Sequence, residues 1–93
     1  MICEIMPIIS IFFGIVIRIN FGDHNPPHLH AEYQDHEGLF DIRTGALIEG
    51  ALPRKQTAMV TRWIEQNRAA LAENWDRAYN RRPTFKIPGP DPR

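Results

Sequence analysis

The chain has 93 residues, of which 43% are apolar and 24% are charged, as is ordinary for a globular domain. Its 11 basic and 11 acidic side chains cancel, so any affinity for nucleic acid or for an anionic membrane must come from a local patch. The single cysteine, Cys3, excludes an intramolecular disulfide. We therefore expect one domain, residues 1–93, in a reducing cytoplasm.

The N-terminal region is strongly apolar. From Ile9 to Phe21 every odd position is Ile or Phe, the period-two pattern of a strand with one buried face. Gly14 predicts a bulge or bend that divides this region into two pieces. The region is too short to cross a bilayer and lacks a basic start and a cleavage site, so we expect neither a signal peptide nor membrane association.

The middle of the chain predicts an antiparallel meander. Strands are expected at 28–34, 39–43 and, least clearly, 46–50, with turns at 35–38 and 44–45. A long helix should begin at Pro53 and end near Asn80, since apolar residues recur there at helical spacing, interrupted by Asn67 and Asn74. Its two tryptophans, Trp63 and Trp75, are expected in the core.

These elements together predict an α+β fold. We expect an antiparallel sheet of three to four strands, a β-meander, covered on one face by one long C-terminal helix. Residues 83–93 should form a proline-rich tail that docks through Phe85 and Ile87. Residues 77–86 hold four basic side chains and no acidic one, and this segment could contact phosphates or an acidic protein near the end of the helix. These are Arg77, Arg81, Arg82 and Lys86.

Three of the four histidines lie in the segment 23–33, where two prolines stiffen the backbone ahead of His28. In a strand that begins there, the side chains of His28, His30 and Glu32 share one face. We expect that face to be exposed, because the helix covers the opposite one. Arg18 would lie beside these residues, and the strand register decides whether further charged side chains join them. Those further side chains are Asp41 and Arg43.

Three interpretations of this cluster are open. In the first, His28 and His30 bind a transition metal such as zinc, with His24, Glu32 or Asp41 completing the shell. In the second, no cofactor is needed and the imidazoles act as general acid and base, because an unperturbed imidazole titrates near pH ~6.5. In the third, the histidines only brace the Pro-Pro turn and the neighbouring strand.

The string MPIISIFFGIVIRINFGDHNPPHLHAEY, residues 6–33, resembles the small bacterial family known as domain-of-unknown-function 4160. A Phe-Asp-Ile-Arg-Thr-Gly segment, a Glu-Gly-Ala-Leu-Pro-Arg helix entry and a Trp-Ile-Glu…Asn-Trp helix extend the resemblance over nearly the whole chain. It implies that Met6 is the usual start and that residues 1–5 are an N-terminal extension. Members usually carry a basic residue where this chain has Ile11.

The family has no established activity, but its members are often encoded beside a small protein of domain-of-unknown-function 2442. The pair has been proposed as a toxin and antitoxin, so the resemblance implies a cognate antitoxin-like partner and an RNA-directed or translation-directed role. Our leading hypothesis is a cytoplasmic toxin-like component that acts on RNA through the histidines, with ribonuclease-like activity. The alternatives are a non-catalytic protein-binding module and a metal-binding domain.

The candidate site follows from the motif and from the predicted face. The candidate catalytic residues are His24, Asn25, His28, His30 and Glu32. The candidate substrate-binding residues are Arg18, Asp41 and Arg43.

Overall fold

A computed structural model describes residues 7–22 and 24–90 of the chain, so the expectations for residues 1–5 and for Cys3 lie outside the described ranges. The fold is α+β, as predicted: a five-stranded antiparallel sheet in the order β1-β2-β3-β4-β5 precedes two helices. The strands are β1 (Ile8–Phe12), β2 (Ile15–Arg18), β3 (His28–Tyr33), β4 (His36–Asp41) and β5 (Leu47–Ala51). The helices are α1 (Arg54–Gln66) and α2 (Arg68–Tyr79). Among the described residues, no helix is long and apolar enough to cross a membrane.

The N-terminal apolar region forms a hairpin. Phe13 and Gly14 join β1 to β2 with φ angles of 51° and 80°, and positive φ at both central residues is what a type I′ turn requires. Gly14 therefore divides the region as predicted, but as part of a turn rather than as a bulge or bend. The sheet has five strands, whereas three to four were predicted. The turn at Phe13 was not predicted, because a bulky residue seldom adopts positive φ.

The next hairpin also turns earlier than predicted. Its turn lies at Gln34 and Asp35, where Gln34 has a φ of 54°, and His36 is already the first residue of β4. Strand β4 consequently ends at Asp41, and Arg43 lies in the following turn rather than in a strand. This shift matters for the site, because it brings Glu37 into the sheet beside β3.

The predicted single helix is two helices that share Asn67 as a cap residue. The side-chain Nδ2 of Asn67 donates to the carbonyl of Trp63 at 2.9 Å, and the Asn67 backbone has φ −130° and ψ 26°. Asparagine side chains compete in this way with the helical backbone hydrogen bonds. The interruption that the apolar pattern shows at Asn67 is thus a real break in the helix.

The core lies between one face of the sheet and the two helices. Side chains that alternate along the strands are fully buried there, and each Val, Ile, Leu or Phe among the core residues stabilises the fold by roughly 1.5–3 kcal/mol relative to an exposed position. The sheet contributes Ile15, Ile17, Leu29, Ala31 and Phe40, and the helices contribute Val60, Trp63, Ile64, Leu71 and Ala78. Trp63 and Trp75, 1% and 7% exposed, are core residues as predicted.

Residues 83–90 of the tail cross the molecule in an extended form and are held mainly through their backbone. Fully buried Asn74 donates to the carbonyl of Phe85 at 2.8 Å and accepts from the Phe85 N–H at 2.9 Å. The N–H of Ile87 donates to the carbonyl of Ile9 at 2.8 Å, which covers part of the outer edge of β1. Ile87 is buried and Phe85 packs against the core, so the predicted docking residues are confirmed.

Replacing Asn74 tests this attachment. Asn74→Leu keeps a similar volume but leaves the N–H and the carbonyl of Phe85 without their partner, so we expect a loss of about 1–3 kcal/mol in the free energy of unfolding. Urea unfolding measures that loss, and faster hydrogen exchange at Phe85 and Ile87 reports release of the tail. Exposed Gln66→Leu, the matched amide-to-leucine control, should stay within about 0.5 kcal/mol of the parent. An Asn74→Leu variant with parental stability and protected amides would contradict this account.

Candidate functional site

The strand register assembles the predicted cluster on one face of the sheet. Arg18 lies opposite His30, His28 lies opposite Asp41, and Glu32 lies opposite Glu37. Directly opposed residues of antiparallel strands project to the same side. We call this surface the histidine face. It consists of Arg18, His28, His30, Glu32, Glu37, Leu39, Asp41 and Glu49.

His28 is buried, contrary to the expectation of an exposed side chain. Its relative exposure is 7%, and the ring of Trp75 from α2 packs against it with 5.2 Å between ring centroids. Its Nδ1 lies 2.7 Å from the carbonyl oxygen of Pro26, consistent with a donated hydrogen bond. The Asn25–Pro26 peptide bond is cis. His28 therefore links the Pro-Pro turn to the helix layer.

His30 lies next to His28 with its ring held by a carboxylate. The two imidazole centroids are 5.5 Å apart in an edge-on arrangement, and the Nδ1 of His30 is 3.3 Å from Oε2 of Glu37. The His30 side chain is 13% exposed and its Nε2 is buried. A carboxylate at Nδ1 fixes the orientation of an imidazole, as in catalytic and metal-ligating histidines.

Glu32 forms an ion pair with Arg18. Its Oε2 lies 3.3 Å from the Nε of Arg18, across the β2–β3 pair. Arg18 lies directly opposite His30. The Arg18–Glu32 ion pair and the His30–Glu37 pair are therefore neighbours on the histidine face.

His24 and Asn25 occupy the loop between β2 and β3, and both are exposed. The loop is tied to the end of α2, because the N–H of Gly22 donates to the carbonyl of Ala78 at 2.8 Å. Of the candidate catalytic residues, these two are the most accessible to a large ligand.

Asp41 organises a turn and does not extend toward solvent. Its carboxylate accepts hydrogen bonds from the backbone N–H of Arg43 at 2.7 Å and of Thr44 at 3.4 Å, and it pairs with the Arg43 guanidinium at 3.3 Å. Burial raises the pKa of Asp41, but the hydrogen bonds and charge of Arg43 outweigh it, together with the Thr44 N–H, and hold the pKa below its ordinary value. Asp41 and Arg43 thus bind each other.

A shallow groove opens on the histidine face over β3, β4 and β5. Its volume is about 320 Å³. Two carboxylates stand over a floor formed by Leu39 and two glycines, so we call it the acidic groove. Its lining residues are His30, Glu37, Gly38, Leu39, Glu49 and Gly50. Sequence reasoning missed Glu37 and Glu49, since each needed the register of a strand whose limits were misplaced.

Metal binding by the histidines stays a prediction. Within residues 7–22 and 24–90, no three His, Cys, Asp or Glu side chains are grouped so as to hold a metal ion. The pair of His28 and His30 is the nearest approach to a zinc ligand set on the histidine face.

A family model described as Domain of unknown function (DUF4160) matches residues 14–76, more than half of the chain. The chain belongs to this family. No curated protein and no solved structure matches it. The DUF4160 match includes every candidate site residue and Trp75, and it ends before Tyr79 and Arg81.

The sequence placed Trp75 in the core but did not predict that its ring contacts a histidine. It packs on His28 at one side and lies 6.1 Å from the ring of Tyr79, centroid to centroid, on the other. One signal for this contact was available in the sequence: the tryptophan lies late in a helix that must cover the strand that carries the histidines. Only the three-dimensional placement of α2 distinguishes that contact from ordinary core packing.

The role of Asp41 can be tested through pH. Because its folded-state pKa lies below the ordinary value of 3.8, its stabilising contribution is complete above the unfolded pKa and is lost as pH falls through the folded pKa. Asp41→Ala should cost about 1–3 kcal/mol at pH 7 and should flatten the acid-side loss of stability below about pH 4. Urea unfolding across this range measures both effects.

Exposed Asp35→Asn is the matched carboxylate control, with an expected change within about 0.5 kcal/mol at pH 7. Parental stability of Asp41→Ala at pH 7 would show that the Asp41 turn contributes nothing.

Proposed function

We propose that this DUF4160 protein is a toxin-like component of a bacterial two-protein system and that it acts on RNA at the end of the histidine face that adjoins α2. The observation that carries the proposal is the His30 imidazole, which a carboxylate holds in one orientation. His28 and His30 lie 5.5 Å apart, and Glu37 holds the ring of His30 through Nδ1. An oriented imidazole is the group that general acid–base catalysis most often uses near neutral pH.

The chemistry needs no metal. In RNA cleavage, one imidazole takes the proton of the 2′-hydroxyl as its oxygen attacks the adjacent phosphorus, and a second donor protonates the departing 5′-oxygen. We assign these roles to His30, which Glu37 orients, and to His24, which is exposed on the neighbouring loop. His28, buried and bonded to Pro26, holds the loop and does not transfer the proton.

Controlled expression in a bacterial host tests the proposal. The wild type should arrest growth with fragmentation of total RNA, while a His24→Gln/His30→Gln variant should lose cleavage by about 10²–10⁴-fold, the usual contribution of general acid–base groups. His36→Gln is the matched control, because His36 is an exposed histidine of β4 that lies opposite Tyr33 and off the histidine face. It should arrest growth like the wild type.

Circular dichroism of the purified variants establishes that each one is folded. Absence of arrest from well-expressed wild type, or undiminished arrest by the folded double variant, would refute the RNA-directed role of these histidines.

A second candidate is a non-catalytic protein-binding module, and one observation favours it. The Nε2 of His30 is buried, and the Nδ1 atoms of both paired imidazoles are already engaged, by Pro26 and by Glu37. Imidazoles placed in this way serve to brace a strand. On this alternative the acidic groove is the docking surface for the antitoxin-like protein, and basic side chains of that protein face Glu37 and Glu49.

A binding experiment with a purified domain-of-unknown-function 2442 protein tests this second candidate. For the binding module, His24→Gln/His30→Gln should retain affinity, while Glu49→Lys in the acidic groove should weaken binding by about tenfold or more through like-charge repulsion. Glu65→Lys, the same change on exposed α1, is the control. Equal affinity of all variants would exclude the acidic groove as the docking surface.

A further inference from the structure

A continuous row of four aromatic rings runs from the histidine face to the end of α2. Its centroid spacings are 5.5 Å from His30 to His28, 5.2 Å from His28 to Trp75, and 6.1 Å from Trp75 to Tyr79. The first three rings are largely enclosed, whereas Tyr79 is 48% exposed. The row therefore ends in an aromatic ring that is supported from beneath by Trp75 and open to solvent.

Arg81 lies two residues beyond that ring, in a conformation that side chains rarely adopt. Its φ is 58°, in the left-handed region, at a position where glycine would be the unstrained residue. Its guanidinium packs against Gly22 so closely that a Cβ on Gly22 would lie 2.6 Å from Nη2. Gly22 belongs to the loop that carries His24, so the guanidinium is held at the base of that loop.

Arg81 differs from the neighbouring arginines, Arg77 and Arg82, in having no carboxylate partner within the part of the chain that the structure describes. Arg77 pairs with Glu73 at 2.8 Å, and Arg82 pairs with Asp76 at 3.3 Å. Their charges are thus largely compensated at short range. Of the three arginines at this end of α2, Arg81 therefore carries the charge that a neighbouring carboxylate compensates least.

We propose that Tyr79 and Arg81 form a contact site for single-stranded RNA, in which Tyr79 stacks on a base and Arg81 binds the adjacent phosphate. The inference rests on the proposed RNA-directed function and names the residues that would bring the strand to His24. An unstacked nucleotide presents both a π face and a phosphate, the two groups that an exposed aromatic ring and an uncompensated guanidinium recognise. A duplex, whose bases are stacked internally, would offer Tyr79 no partner.

The test is fluorescence anisotropy of a short fluorescein-labelled oligoadenylate with the purified full chain. Tyr79→Leu should weaken binding by roughly five- to hundredfold, the range for loss of one base–aromatic stack. Arg81→Gln should weaken it by about tenfold and should reduce the slope of log affinity against log salt by about 0.7. Arg82→Gln, which removes the same charge one residue away, should have a clearly smaller effect, since Arg82 is already paired with Asp76.

The Arg81→Gly variant tests whether weaker RNA binding could result from a loss of folding. Because glycine adopts a φ of 58° without strain, this variant should unfold at the same or a higher urea concentration than the parent while binding the oligonucleotide as weakly as Arg81→Gln.

Three outcomes overturn the inference in different ways. If the wild type binds the oligonucleotide and the Tyr79 and Arg81 variants bind equally well, the contact site is wrong while the proposed RNA-directed function stands. If Arg81→Gln and Arg82→Gln weaken binding equally, the attraction is general electrostatics and Arg81 has no specific role. If the folded wild type binds no RNA, both the inference and the proposed function are wrong.

Discussion

The rest of the structure depends on one constraint: strand β3 has an apolar face packed against the helices and a polar face that carries the histidines. Leu29 and Ala31 are fully buried against the helices, so strand alternation forces His28 and His30 to the opposite face. A register slip of one residue would exchange the two sets and place imidazoles in the core. The apolar residues of β3 and its neighbours therefore determine where the histidines stand, and β4 then brings Glu37 to His30.

The histidine face is not left wholly open, because α2 reaches its edge. Trp75 belongs to the apolar side of the helix, yet its ring also covers His28. The link between Gly22 and Ala78 fastens the loop of His24 to the same end of the helix. Core packing and site geometry consequently share residues here, and a substitution of His28 or Trp75 changes both. His24 and Arg81 are exposed, so substituting them should change the proposed site with less effect on core packing. These substitutions therefore distinguish an effect on function from an effect on folding.

The sequence predicted the fold class, the face shared by His28, His30 and Glu32, and the docking of the tail, because these depend on local periodicity and on isolated apolar residues. It did not predict the Phe13–Gly14 hairpin, since positive φ at phenylalanine has no signature in the sequence. Nor did it predict that Asn67 ends α1, since side-chain competition with a helix depends on context. The partners of His30 depend on register and on helix placement, which single-strand patterns leave undetermined.

The net charge is zero, but the protein has one acidic surface and one basic surface. The acidic groove carries Glu37 and Glu49, whereas the far end of α2 presents the guanidinium of Arg81. His30 belongs to both regions, because it lines the groove and also ends the aromatic row that leads to Tyr79. A basic partner segment in the groove would compete with His30 for the carboxylate of Glu37. On the proposed function, neutralisation would then require no contact with Tyr79 or Arg81, because the partner would only draw the Glu37 carboxylate away from the His30 imidazole.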